Sequence, residues 1–94
     1  MHVLIAYDVS TSTPAGIRRL RRVAQACQDY GLRVQKSIFE CRIGPTQWVA
    51  LRARLLGEVD EKQDSLRFYF LDEDVLIEHH GTREPLDLEG SLVV

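Results

Sequence analysis

The chain has 94 residues, of which 45% are hydrophobic and 28% charged, with six glycines and three prolines. This is the composition of one globular domain and excludes a low-complexity or disordered chain. The net charge of −2 hides a division: up to Arg54 nine Lys/Arg stand against three Asp/Glu, and beyond it three stand against eleven, so a basic half that attracts phosphates precedes an acidic one.

A domain this small buries only about 60–70% of its unfolded surface, which favours association with a second copy. No apolar run approaches the ~20 residues that span a bilayer, and Met1-His2 leads straight into a strand pattern. A cytoplasmic protein with no membrane partner is therefore expected. Cys27 and Cys41 are far apart and form no C-x-x-C pair, which predicts reduced thiols used for packing.

Residues 2–8 read as a strand, and Leu4, Ile5 and Ala6, apolar on both faces, make it a central one. The run stops at Tyr7-Asp8, and a loop rich in hydroxyls follows. Thr13-Pro14 has the form of a helix entry, a hydroxyl N-cap with proline at the first helical position. Ile17, Leu20, Ala24 and Cys27 then fall on one helical stripe, and Gly31 is expected as a left-handed exit residue. Arg18, Arg19, Arg21 and Arg22 crowd the other side, where like charges three and four apart repel unless an anion joins them.

Residues 33–43 are β-rich but long for one strand, so a bend or hairpin is expected near Ser37-Ile38. Gly44-Pro45 opens a second helix with Trp48, Leu51 and Leu55 on one face, Val49 and Leu56 on its flank, and Gly57 as its end. Leu66, Phe68 and Phe70 alternate with Arg67 and Tyr69 in a further strand. Residues 75–78 suggest a short extra strand, and the chain ends on apolar residues. This order predicts an α+β, ferredoxin-like sandwich: one mainly antiparallel sheet with two helices on one face, in a single domain over residues 1–94. The spare strand and residues 80–94 need a sheet edge, such as that of a partner chain.

Asp8 closes the central strand, at the edge of an open sheet where ligands gather. It either binds a ligand there or accepts hydrogen bonds from the hydroxyl-rich loop. One aspartate is a poor Mg²⁺ site, since that ion takes six oxygens, though water supplies many; a twofold dimer would add a second Asp8. The arginines are either a solvated helix face or a phosphate-binding one, and Arg33, Lys36 and Arg42 favour the latter by extending the positive surface. The aromatic strand lacks the glycine pattern of RNA-binding sheets and reads as core. His79 and His80, adjacent on a strand, would point to opposite faces and cannot easily share a zinc ion. No Ser-His-Asp set, Walker loop or dinucleotide turn is present.

"YDV" at the end of the first strand, the helix "RRLRRVAQACQDYG", then "RVQKSIFEC" and "DSLRFYFL" together resemble the CRISPR-associated endoribonuclease family, the small proteins of CRISPR spacer acquisition. The likeness covers nearly the whole chain. It implies a ferredoxin-like homodimer in which the last strand or tail completes the neighbour's sheet. It also implies that Asp8 of each subunit faces its twin and that the pair binds one Mg²⁺, or Mn²⁺ in its place. Two such carboxylates cannot both ionise comfortably without a cation.

By the same resemblance Tyr7 would flank the metal in a phosphodiester-cleaving, metal-dependent endonuclease. Arg18, Arg19, Arg22 and Arg33 would hold the nucleic-acid backbone, and Ser37 and Phe39 would line the cleft. Members of the family also bridge dimers of the CRISPR integrase and grip protospacer DNA, a role that needs the basic surface and no cleavage. RNA or DNA as substrate, and a non-catalytic scaffold, stay open at this point, as does a small-ligand regulatory module on the same fold.

Overall fold

The first apolar run becomes strand β1 (His2–Asp8) of a computed structural model, which describes residues 1–82. Helix α1 (Pro14–Tyr30), strands β2 (Leu32–Gln35) and β3 (Ile38–Arg42), helix α2 (Pro45–Glu58) and strand β4 (Ser65–Leu71) follow. The sheet order is β2-β3-β1-β4, and every adjacent pair is antiparallel. The expected ferredoxin-like α+β sandwich is therefore present, with β1 central.

Alternation along β1 separates the two faces of the sheet. Val3, Ile5 and Tyr7 are buried in the core with Val23, Ala26 and Cys27 of α1, Phe39 and Cys41 of β3, and Trp48, Leu51 and Leu55 of α2. The intervening Leu4, Ala6 and Asp8 belong to the opposite face. Ile38 and Tyr69 are their neighbours in register, and no helix covers them.

The first helix begins as its residues dictate. Thr13 Oγ1 accepts from Gly16 N at 3.1 Å, and Pro14 stands at the first position, where a missing N–H costs nothing. Its buried stripe is rotated from the expected one: Gly16, Val23, Ala26 and Cys27 are buried, Leu20 and Ala24 pack beside them, and Ile17 is exposed.

Gly31 is not left-handed, since its φ of −147° is extended backbone. It is needed for space, because a Cβ there would collide with Cys41 Sγ and lie 2.7 Å from the Glu40 carbonyl oxygen. Both thiols are free and buried. Burial pushes Cys27 up to about 12 and Cys41 up to about 11, which keeps them protonated packing groups.

The expected hairpin is found, with its turn at Lys36-Ser37 between β2 and β3. Gly57 does not end α2; the helix runs to Glu58, and Val59 N donates to Leu55 O at 3.2 Å. Val49 and Leu56 on its flank are exposed. Trp48 meets Phe68 and Phe70 edge-on, at ring-centroid distances of 4.8 and 5.6 Å, an attractive geometry for aromatic quadrupoles. Phe70 is nonetheless mostly exposed, because β4 is an edge strand.

Residues 75–78 form no strand. Val75 N closes a turn on Asp72 O at 3.1 Å, and Leu76 and Ile77 remain exposed; a ladder requires a neighbour, and this single chain offers them none among the described residues. The expected tail at 80–94 lies, from residue 83 onward, outside the described residues.

Candidate functional site

Asp8 is the last residue of the central strand and is exposed on the face that carries no helix. Its register partner on β4 is Ser65. The Ser37 carbonyl at the hairpin turn accepts a hydrogen bond from Tyr7 N at 3.1 Å, which brings Ser37 beside this strand end. Among the described residues no protein donor bonds the Asp8 carboxylate, so it is open to a ligand.

The hydroxyl-rich loop does not turn toward Asp8. Ser10 Oγ and Ser12 Oγ pair with each other at 3.3 Å, and Ser10 N donates to Asp64 Oδ1 at 3.0 Å. Asp64, which the sequence did not single out, is the hub of this region. Its buried carboxylate also accepts from Asp60 N at 2.8 Å and from Arg19 Nε and Nη2 at 2.8 and 3.2 Å. The Arg19 hydrogen bond is the chief reason that the Asp64 carboxyl is held down at about 2, with burial opposing and the two backbone donors assisting.

This pairing sets Arg19 apart from the other arginines of the expected set. Arg19 is spent inside the protein: its guanidinium forks onto Asp64 with a side chain only 15% exposed. Arg18, Arg21 and Arg22 remain on the surface of α1, and Arg22 has only a long contact to Glu58 at 3.9 Å. An exposed pair at that distance binds weakly, so all three remain available to an anion.

Tyr7 and Phe39 lie on the other face of the sheet from Asp8. Consecutive strand residues point to opposite faces, so Tyr7 faces the helices while Asp8 faces away from them. Tyr7 stacks on Phe39 at 6.2 Å between ring centroids, and burial pushes its phenol up to about 12 against the opposing charge of Arg33. A phenol so buried keeps its proton at neutral pH. Phe39 is fully buried and packs the core rather than lining a cleft. The Arg33 guanidinium lies over the Phe39 ring, 5.0 Å from its centroid, a cation–π contact on the helix side of the sheet.

One chain thus unites Asp8, Ser37 and Ser65 at the strand end. It sets the free arginines of α1 in the helix layer, on the other side of the sheet. No group of three or more His, Cys, Asp or Glu able to hold a metal occurs among the described residues, and the isolated Asp8 fits Mg²⁺ only as one carboxylate among waters.

Residues 1–76 match the family model described as CRISPR associated protein Cas2. The chain belongs to the Cas2 family. Among its Cas2 relatives, the CRISPR-associated endoribonuclease Cas2 of Chlorobaculum tepidum is 59% identical, with both chains covered in full. The CRISPR-associated endonuclease Cas2 of Halalkalibacterium halodurans is 48% identical over 99% of each chain. The crystal structure of Streptococcus pyogenes Cas2 at pH 6.5 superposes with a TM-score of 0.71 at 54% identity, covering 79% of this chain and 89% of that one. The Cas2 family and the ferredoxin-like sandwich implied by the sequence are both established by these matches. No helix among the described residues is long and apolar enough to cross a membrane.

Proposed function

We propose that this Cas2-family chain acts in CRISPR adaptation as a homodimeric, metal-dependent endonuclease whose site is formed by two copies of Asp8. The observation that carries this reading is the Asp8 carboxylate itself: it is exposed, accepts no hydrogen bond from the described residues, and sits at the edge of a sheet face that no helix covers. Leu4, Ala6 and Ile38 on that face are only partly buried and Tyr69 is exposed, and covering such a surface is the usual reward for association. A twofold axis passing through this face close to Asp8 would set the carboxylate opposite its own copy. The relatives named endoribonuclease and endonuclease support hydrolysis of a phosphodiester.

Paired carboxylates repel, and a divalent cation relieves that repulsion. Mg²⁺ or Mn²⁺ would be held by the two Asp8 side chains, with waters completing its shell. When bound, it supplies neutralisation of phosphate charge and acidification of water. The chain's own part is to present Asp8 in one orientation, to bind backbone phosphates through Arg18, Arg21 and Arg22, and to keep Tyr7 out of the proton chemistry.

The test is Asp8→Asn assayed on single-stranded RNA and on duplex DNA with Mg²⁺. Loss of cleavage with the dimer intact supports the proposal; cleavage equal to the wild type overturns it, and the substrate that is cut distinguishes RNA from DNA. A second reading, a non-catalytic scaffold that bridges CRISPR integrase dimers and grips protospacer DNA, is favoured by the separation of the free arginines from Asp8. It requires spacer acquisition to survive Asp8→Asn and to fail when Arg18, Arg21 and Arg22 are reversed to Glu.

A further inference from the structure

We infer that Asp64, locked by Arg19, is the positioning residue for the Asp8 carboxylate, an inference that rests on the reading of Asp8 given above. Asp8 is bracketed by this one buried side chain. Across the sheet its register partner is Ser65, the residue that directly follows Asp64. Along the chain, Ser10 lies two residues beyond Asp8, and its N–H is held by Asp64 Oδ1. The backbone on the far side of Asp8 and the backbone opposite Asp8 are thus tied to the same carboxylate.

Gly16 supplies an independent grip. The start of α1 lies so close over the loop that a Cβ at Gly16 would collide with the Ser10 carbonyl oxygen. The Ser10 residue is therefore confined at its N–H by Asp64 and at its C=O by the helix. Arg19 completes the lock from α1 through two hydrogen bonds, and a forked guanidinium fixes a carboxylate in plane as well as in distance.

The lock also matters for charge. A second unpaired carboxylate next to a cation-binding one would compete for the ion or hold a proton. Here the lock's charge is satisfied internally, with Asp64 accepting four hydrogen bonds, whereas the Asp8 carboxylate accepts none among the described residues. Losing a group that orients a metal ligand without touching the metal typically costs about 10- to 100-fold in affinity.

The experiment compares Asp64→Asn and Arg19→Gln with Leu55→Ala, a core truncation in α2 that breaks none of these bonds. Mn²⁺ is titrated into the full chain and followed by paramagnetic broadening of the amide signals of residues 6–10. Amide exchange at Val9 and Ser10, relative to Ile5 in mid-strand, is measured without metal. The expected result is a Mn²⁺ midpoint raised about tenfold by each lock variant, with faster exchange at Val9 and Ser10 and little change at Ile5. Leu55→Ala should leave the midpoint alone and speed exchange evenly.

Wild-type midpoint and exchange in the lock variants, or an equal shift in Leu55→Ala, would overturn the inference. If Asp64→Asn fails to fold, Arg19→Gln carries the same comparison. Asp8→Asn is titrated in parallel: broadening that persists in that variant defeats the paired-Asp8 reading, while the exchange measurement still decides whether Asp64 fixes the chain around residue 8.

Discussion

Replacing Asp64 with Ala removes the acceptor of four hydrogen bonds at one stroke. It strands Arg19, whose side chain is only 15% exposed, along with the Ser10 and Asp60 amides. Breaking a buried ion pair from one side costs about 3–5 kcal/mol, a large fraction of the ~5–15 kcal/mol that holds a small domain together. For a domain of this size the midpoint of thermal unfolding should fall by on the order of 20 °C.

The same carboxylate makes stability depend on pH. Because it is held at about 2 in the folded chain, well below the ordinary value of about 3.9 for Asp, its contribution is complete above the unfolded value. It is lost as pH falls from about 4 through about 2. Asp64→Asn, which carries no titratable group, should therefore be less stable than the wild type at pH 7, and the gap should close across that window. Urea unfolding followed by tryptophan fluorescence from Trp48, repeated at several pH values, measures both quantities. A loss below about 1 kcal/mol in Asp64→Ala, or a gap between wild type and Asp64→Asn that persists unchanged to pH 2, would refute the reasoning.

Gly31→Ala should destabilise the fold by roughly 1–3 kcal/mol, the usual range for overpacking, because its Cβ meets Cys41 Sγ and the Glu40 carbonyl; chemical denaturation reads the loss, and a companion Cys41→Ala should recover part of it. Tyr7→Phe should leave cleavage within about threefold of the wild type and its pH profile unshifted, since the phenol is buried on the helix side; a tenfold loss at unchanged stability would restore Tyr7 to the chemistry.

The elements were legible because each is a local pattern. The short apolar run in residues 2–8, Thr13 followed by Pro14, and Gly44-Pro45 are signals read within a few residues, and β1, α1 and α2 start where they point. The hairpin was readable from length alone. What failed depended on partners distant in the chain. Ile17 fits the helical stripe as well as Val23 does, and only the placement of α1 on the sheet decides between them. Gly31 looked like a left-handed exit because that is the commonest use of glycine after a helix, whereas the actual constraint is Cys41, ten residues later in the next hairpin.

The site divides in the same way. Asp8 was visible as a carboxylate ending an apolar run. That its neighbour Tyr7 lies on the opposite face could have been read from alternation alone, since two consecutive strand residues do not share a face. Asp64 gave no local signal in its polar linker: its partners Ser10 and Arg19 lie 54 and 45 residues away. The nearest hint was the run of arginines, which as a set of like charges needed an acid, and Asp64 answers that need for Arg19.

Placing Asp8 and the free arginines on opposite sides of the sheet has a consequence for nucleic-acid binding. In the proposed dimer, closed on the open face, the Asp8 pair would lie between the subunits and the helix layers would face outward, so phosphates bound by Arg18, Arg21 and Arg22 would lie on a surface separate from the paired acids. Each phosphate neutralised releases about 0.7–0.9 of a counterion, depending on whether the strand is single or double. Converting all three arginines to Gln should therefore reduce the slope of log affinity against log salt by about 2–3 per subunit engaged. Raising salt from 50 to 200 mM would then weaken the wild type by on the order of 30-fold more than the variant, through those contacts alone. Asp8→Asn should leave that slope untouched. Fluorescence anisotropy with a labelled duplex across a salt series provides the measurement, and a slope that changes on Asp8→Asn, or stays fixed when the three arginines are removed, would place the phosphates against the sheet face instead of the helix.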